Sequence, residues 1–85
     1  MGAAGLDVQL STAARALFPY GVECKNRAAI AVYSDFTQAS TNATDGGLTP
    51  LLVIKQNHSE PLAVITLTHF MELVHEAAQL RNLNP

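Results

Sequence analysis

The chain has 85 residues, a length that holds one small domain spanning residues 1–85. A hydrophobic fraction of 48% with 14% charged residues excludes a disordered chain, and the single cysteine, Cys24, excludes an internal disulfide and a cysteine-rich zinc site. The net charge of −2 excludes a protein that coats nucleic acid by positive charge alone. Residues 1–59 balance Arg15, Lys25, Arg27 and Lys55 against Asp7, Glu23, Asp35 and Asp45, so the acidic excess lies in residues 60–85. No apolar run approaches the roughly 20 residues of a membrane span. The opening MGAAGLDVQL lacks the basic residues and long apolar stretch of a signal peptide. These features predict a cytoplasmic, reducing setting with no membrane partner.

Residues 6–11, Leu-Asp-Val-Gln-Leu-Ser, alternate apolar and polar and predict a strand, followed by a helical turn over 12–17. Residues 18–25 alternate again. Phe18, Tyr20, Val22 and Cys24 share one face, and Pro19, Gly21, Glu23 and Lys25 share the other. Cys24 reads as a small buried residue behind that second face. Asn26 is a candidate N-cap for a helix to about Ser40, with Ala29, Val32, Tyr33, Phe36 and Ala39 as its apolar stripe. Residues 40–49 have the composition of a loop. Leu51–Lys55 and Leu62–Leu67 read as strands of a hairpin joined by a turn over Gln56–Glu60. Thr68 then caps a final helix whose Phe70, Leu73, Val74, Ala77 and Leu80 lie on one face and suit a core, with any exposed part a candidate two-fold interface. The predicted order is β-β-α-β-β-α, an α/β fold with a mixed central sheet flanked by helices.

The candidate chemistry lies in Asp7, Glu23 and Lys25, with Gln38 beside them. Two carboxylates on neighbouring strands hold a hard divalent cation through oxygen, and the backbone carbonyl of Cys24 is a third candidate ligand. A lysine two residues after the glutamate shares its face, where it can assist a water or neutralise a phosphate. Spacing alone leaves open that Glu23 and Lys25 are an exposed strand pair and Asp7 a loop residue.

Three stretches carry a resemblance: Gly5-Leu6-Asp7-Val8, Phe18-Pro19-Tyr20-Gly21-Val22-Glu23-Cys24-Lys25-Asn26, and Gln38-Ala39 with Tyr33 five positions before Gln38. Together they resemble the PD-(D/E)xK nuclease superfamily, and within it small phage-type endonucleases similar to Holliday junction resolvases. Pro50–Lys55, Asn57 and Ser59-Glu60-Pro61 resemble the closing hairpin of that group, so the likeness covers roughly residues 5–67. It implies a minimal restriction-endonuclease-like core and a metal-dependent endodeoxyribonuclease that cuts branched DNA such as four-way junctions. It further implies Asp7 and Glu23 as metal ligands, Lys25 as the catalytic lysine, and Gln38 as a residue that orients a ligand or touches the scissile phosphate. Mg²⁺ is the implied metal, with Mn²⁺ substituting. The group's opening helix and strand have no counterpart in the six residues before Asp7, which suits a minimal variant, a truncated chain or a protomer completed by its partner.

Arg15, Arg27 and Lys55 are candidates to line a DNA path, or solvated surface charges. His58, His69 and His75 lack metal-site spacing and are expected in surface or packing roles. Gly46-Gly47 lacks the ending of a phosphate loop. Cutting two strands needs two sites, so a homodimer is expected, in a bacterial or phage-infected cytoplasm. Two rival readings stand beside the nuclease: a catalytically inactive nuclease-like module for nucleic-acid binding or assembly, and a dimeric α/β interaction domain without a nucleic-acid role.

Overall fold

The computed structural model describes residues 18–83. The strand expected at 6–11 and the turn at 12–17 lie outside them. Five elements follow in order: β1 (Tyr20–Asn26), α1 (Val32–Asp45), β2 (Thr49–Lys55), β3 (Leu62–Val64) and α2 (Leu67–Leu83). The sheet order is β1-β2-β3, with β1 and β2 parallel and β2 and β3 antiparallel. Among the described residues the fold is therefore α/β, a three-stranded mixed sheet with two helices.

β1 pairs with β2 over its whole length, from Tyr20 opposite Thr49 to Asn26 opposite Lys55. A parallel pair needs a crossover, and α1 supplies it. Pro50 is tolerated in the central strand for a positional reason. Thr49 N–H donates to Pro19 O at 2.9 Å, so the nitrogen of Pro50 points to the other side. There β3 pairs only with Leu52–Ile54 and asks no hydrogen bond of it.

The helix α1 starts five residues later than expected and ends five residues later. Asn26 does not cap it, because the ladder to Lys55 keeps Asn26 extended. Arg27–Ala29 form a bend, held where Gln56 Nε2 donates to Ala28 O at 2.8 Å. Ala31 stands at the N-cap with no side-chain hydrogen bond. The inward row is Asp35, Ala39 and Ala43, at spacings of four. That corrects the expected stripe: Ala29 lies outside the helix, and Val32 and Tyr33 are exposed. The run Ser40–Asp45, loop-like in composition, stays helical because Ala39 and Ala43 bury against the sheet. The hydroxyls of Thr37 and Thr41 donate back to the carbonyls of Tyr33 and Thr37, which satisfies them within the helix. The helix stops at Gly47, whose φ of 70° suits glycine. Leu48 N–H donates to Ala43 O and Gly47 N–H to Thr44 O, the pattern of a Schellman motif.

The hairpin forms with Leu52 opposite Val64 and Ile54 opposite Leu62. Its turn is closed by Ser59 N–H donating to Gln56 O at 3.2 Å. β3 ends at Val64, sooner than expected, because Thr66 rather than Thr68 caps α2. His69 N–H donates to Thr66 Oγ1 and Phe70 N–H to Thr66 O, both at 3.0 Å.

The hydrophobic core of the described residues is small: Val22, Ala39, Ala43 and Leu52, with Leu52 the largest fully buried side chain. The apolar face of α2 does not join it, which corrects the reading of that face as core. Phe70, Leu73, Val74 and Leu80 are exposed. The helix meets β1 through His69, about 100° around the helix axis from Phe70. There Tyr20 Oη and His69 Nε2 lie 2.6 Å apart, and His69 Nδ1 lies 3.1 Å from Glu72 Oε1. His69 thus has a packing role, joining α2 to the sheet.

Candidate functional site

The alternation of β1 puts Gly21, Glu23 and Lys25 on one face, and α1 packs over that face. The small side chains of Ala39 and Ala43 allow the close approach. Two residues of strand advance about 6.7 Å and one helical turn of four residues about 6 Å. The pair Glu23 and Lys25 therefore matches the pair Asn42 and Gln38 on an antiparallel helix. Asn42 Nδ2 donates to Glu23 Oε1 at 2.7 Å, and Lys25 Nζ donates to Gln38 Oε1 at 3.4 Å. Glu23 is only 4% exposed, while Lys25 is half-buried and Gln38 exposed. The short amide bond to Glu23 has the length of a charge-assisted hydrogen bond. It answers part of the desolvation that burying a carboxylate entails.

Three of the sequence-predicted residues, Glu23, Lys25 and Gln38, thus come together. Asp7 and Arg15 lie outside the described residues. Asn42 was not among the candidates, because its surroundings read as a loop. The signal that could have found it is its spacing of four from Gln38. Tyr33, the aromatic of the resemblance, is 91% exposed and turned from the sheet. Cys24 is exposed, which corrects its reading as buried. It lies on the β1 face opposite Glu23, away from α1.

Arg27 and Lys55 sit together at the carboxyl ends of β1 and β2, where Arg27 N–H donates to Lys55 O at 3.2 Å. The guanidinium of Arg27 is half exposed and donates from Nη2 to Asp35 Oδ1 at 2.7 Å. Asp35 is buried, and its Oδ2 has no hydrogen-bond partner. Lys55 Nζ donates to Gln56 O at 3.1 Å. A cleft of about 200 Å³ at this end is lined by Ile30, Val32, Ile54, Lys55, Gln56 and their neighbours. It does not include Glu23 or Lys25.

Glu23 offers the hard oxygen donor that Mg²⁺ or Mn²⁺ prefers, with one oxygen already bonded to Asn42. Among the described residues, no three His, Cys, Asp or Glu side chains form a group that could hold a metal ion. Asp7, the other carboxylate expected to act as a metal ligand, lies outside those residues. Among the described residues, no helix is long and apolar enough to cross a membrane. Comparison with family models, curated proteins and solved structures gives no match to this chain.

Proposed function

We propose that this chain is a metal-dependent endodeoxyribonuclease that hydrolyses phosphodiester bonds in branched DNA such as four-way junctions. The observation that supports it best is the pairing of Glu23 and Lys25 on one strand face, each joined to α1 by an amide side chain. Asp7, Glu23 and the Cys24 carbonyl would hold Mg²⁺, with Mn²⁺ substituting. When bound, the cation supplies Lewis acidity at the phosphate and lowers the pKa of a water. Lys25 keeps a positive charge where the phosphate becomes more negative. Gln38 accepts from Lys25 and fixes the ammonium, and Asn42 fixes the Glu23 carboxylate. Arg15, Arg27 and Lys55 would meet the DNA backbone, which sets register without reading sequence. Two copies are needed to cut both strands of a junction, in a bacterial or phage-infected cytoplasm.

The second reading is a catalytically inactive module with a nuclease-like sheet, used for nucleic-acid binding or assembly. The 4% exposure of Glu23 and its amide clamp favour it, because a buried carboxylate has little room for further ligands. Incubating labelled four-way junction, duplex and single strand with the chain in Mg²⁺, Mn²⁺ or EDTA separates the two. The nuclease reading expects metal-dependent cutting of the junction and none in EDTA. Binding with no cutting in any metal would leave the inactive module.

A further inference from the structure

The helix α2 leaves bare the broad apolar face that its sequence promised to a core. Leu67 is 75% exposed, Met71 55%, Phe70 50% and Leu80 61%, with Val74 between them. The polar residues Thr68, Glu72, His75, Glu76 and Gln79 occupy the opposite arc and are exposed as well, so α2 meets water on both sides, with Arg81 the one charge on its apolar arc. Beside Leu67, a groove of about 310 Å³ continues the patch across Val32, Tyr33 and Phe36 of α1. With Tyr33, these side chains expose on the order of 700 Å². The largest patch of a monomeric protein covers about 300–600 Å², and a stable interface buries about 800 Å² per partner. The patch is therefore at or above the upper end of a monomer's range and close to the size a dimer needs.

The distribution of sizes along α2 names the occupant. Leu67, Phe70 and Met71 are bulky and lie in the first half, while Ala77 and Ala78 are small and open the second, ahead of Leu80 and Arg81 at its end. An antiparallel pair of identical helices sets each bulky half against the other's small half. A parallel pair would stack Phe70 on Phe70. A two-fold axis relates identical patches in this head-to-tail way. We propose that α2 is the dimer interface of this chain, pairing antiparallel with α2 of a second copy about an axis near Val74. The Leu80 end of each helix then reaches the groove beside the other's Leu67. The inference gives a surface to the pairing named above but rests on the helix face alone, and it needs no nuclease chemistry.

Sedimentation of the full chain without DNA tests it, at concentrations up to about 200 μM. Wild type is expected to sediment as a dimer. Phe70→Glu and Ala77→Lys, both on the bare face, are each expected to weaken self-association by roughly 100-fold with unchanged far-ultraviolet circular dichroism. Mixed in equal amounts, they are expected to recover a dimer, because the antiparallel pair sets Glu against Lys. A wild-type monomer at every concentration would overturn the proposal and turn attention to residues 1–17 or another protein as the cover. A dimer indifferent to both substitutions would overturn it by moving the interface elsewhere. Weakened variants that do not rescue each other would overturn the antiparallel arrangement.

Discussion

Replacing Asn42 with alanine removes the donor that holds Glu23 Oε1 at 2.7 Å. A hydrogen bond to a charged acceptor contributes about 1.5–3 kcal/mol, and Glu23 at 4% exposure has little water to replace it. Alanine also favours the helix by about 0.6 kcal/mol over asparagine. The two effects oppose each other and the lost bond wins, so the net destabilisation is about 1.5 kcal/mol. With a urea dependence of about 1 kcal/mol/M for a domain this small, the midpoint falls by roughly 1.5 M. Asn42→Asp sharpens the test, since it sets a second carboxylate against the first. Two carboxylates this close repel each other, so at pH 7 the aspartate variant is expected below the alanine variant. Urea unfolding at pH 7, at one protein concentration, measures this. Alanine and aspartate variants that both match wild type would refute the clamp on Glu23.

Leu52 is fully buried between α1 and the sheet, so Leu52→Ala is expected to cost about 3 kcal/mol by chemical denaturation. Arg27→Ala leaves the buried Asp35 carboxylate with neither oxygen answered by a cation. A loss of about 2 kcal/mol is expected, largely recovered in the double variant with Asp35→Asn. Gly47→Ala meets open space but a φ of 70°, so a loss of about 1 kcal/mol with an unchanged fold is expected. Thr66→Ala removes the cap on His69 N–H. About 1 kcal/mol is expected to be lost, with faster amide exchange confined to the first turn of α2.

The face shared by Glu23 and Lys25 was legible because a strand has a period of two and an exposed partner side chain is not needed to see it. The hairpin was legible from two apolar runs and a polar turn. The start of α1 was not. Asn26 looks like a cap, but its backbone belongs to the parallel ladder with Lys55, a pairing across 29 positions of sequence. The end of α1 was hidden for the opposite reason. Ser40–Asp45 has a loop's composition, yet Ala39 and Ala43 bury against the sheet and Thr37 and Thr41 satisfy their hydroxyls within the helix. Missing that turn meant missing Asn42. The stripe on α2 was read correctly as a stripe and wrongly as a core, since periodicity reports that a face is apolar and not what covers it.

The central claim is that Lys25, held by Gln38 beside Glu23, belongs to a nuclease site. The most direct test is single-turnover cleavage of a labelled four-way junction in Mg²⁺ by wild type and by Lys25→Ala, with junction binding followed by anisotropy on the same samples. The account predicts that Lys25→Ala binds the junction within a few-fold of wild type and cuts it roughly 1,000-fold more slowly. Cutting by Lys25→Ala at the wild-type rate would contradict it.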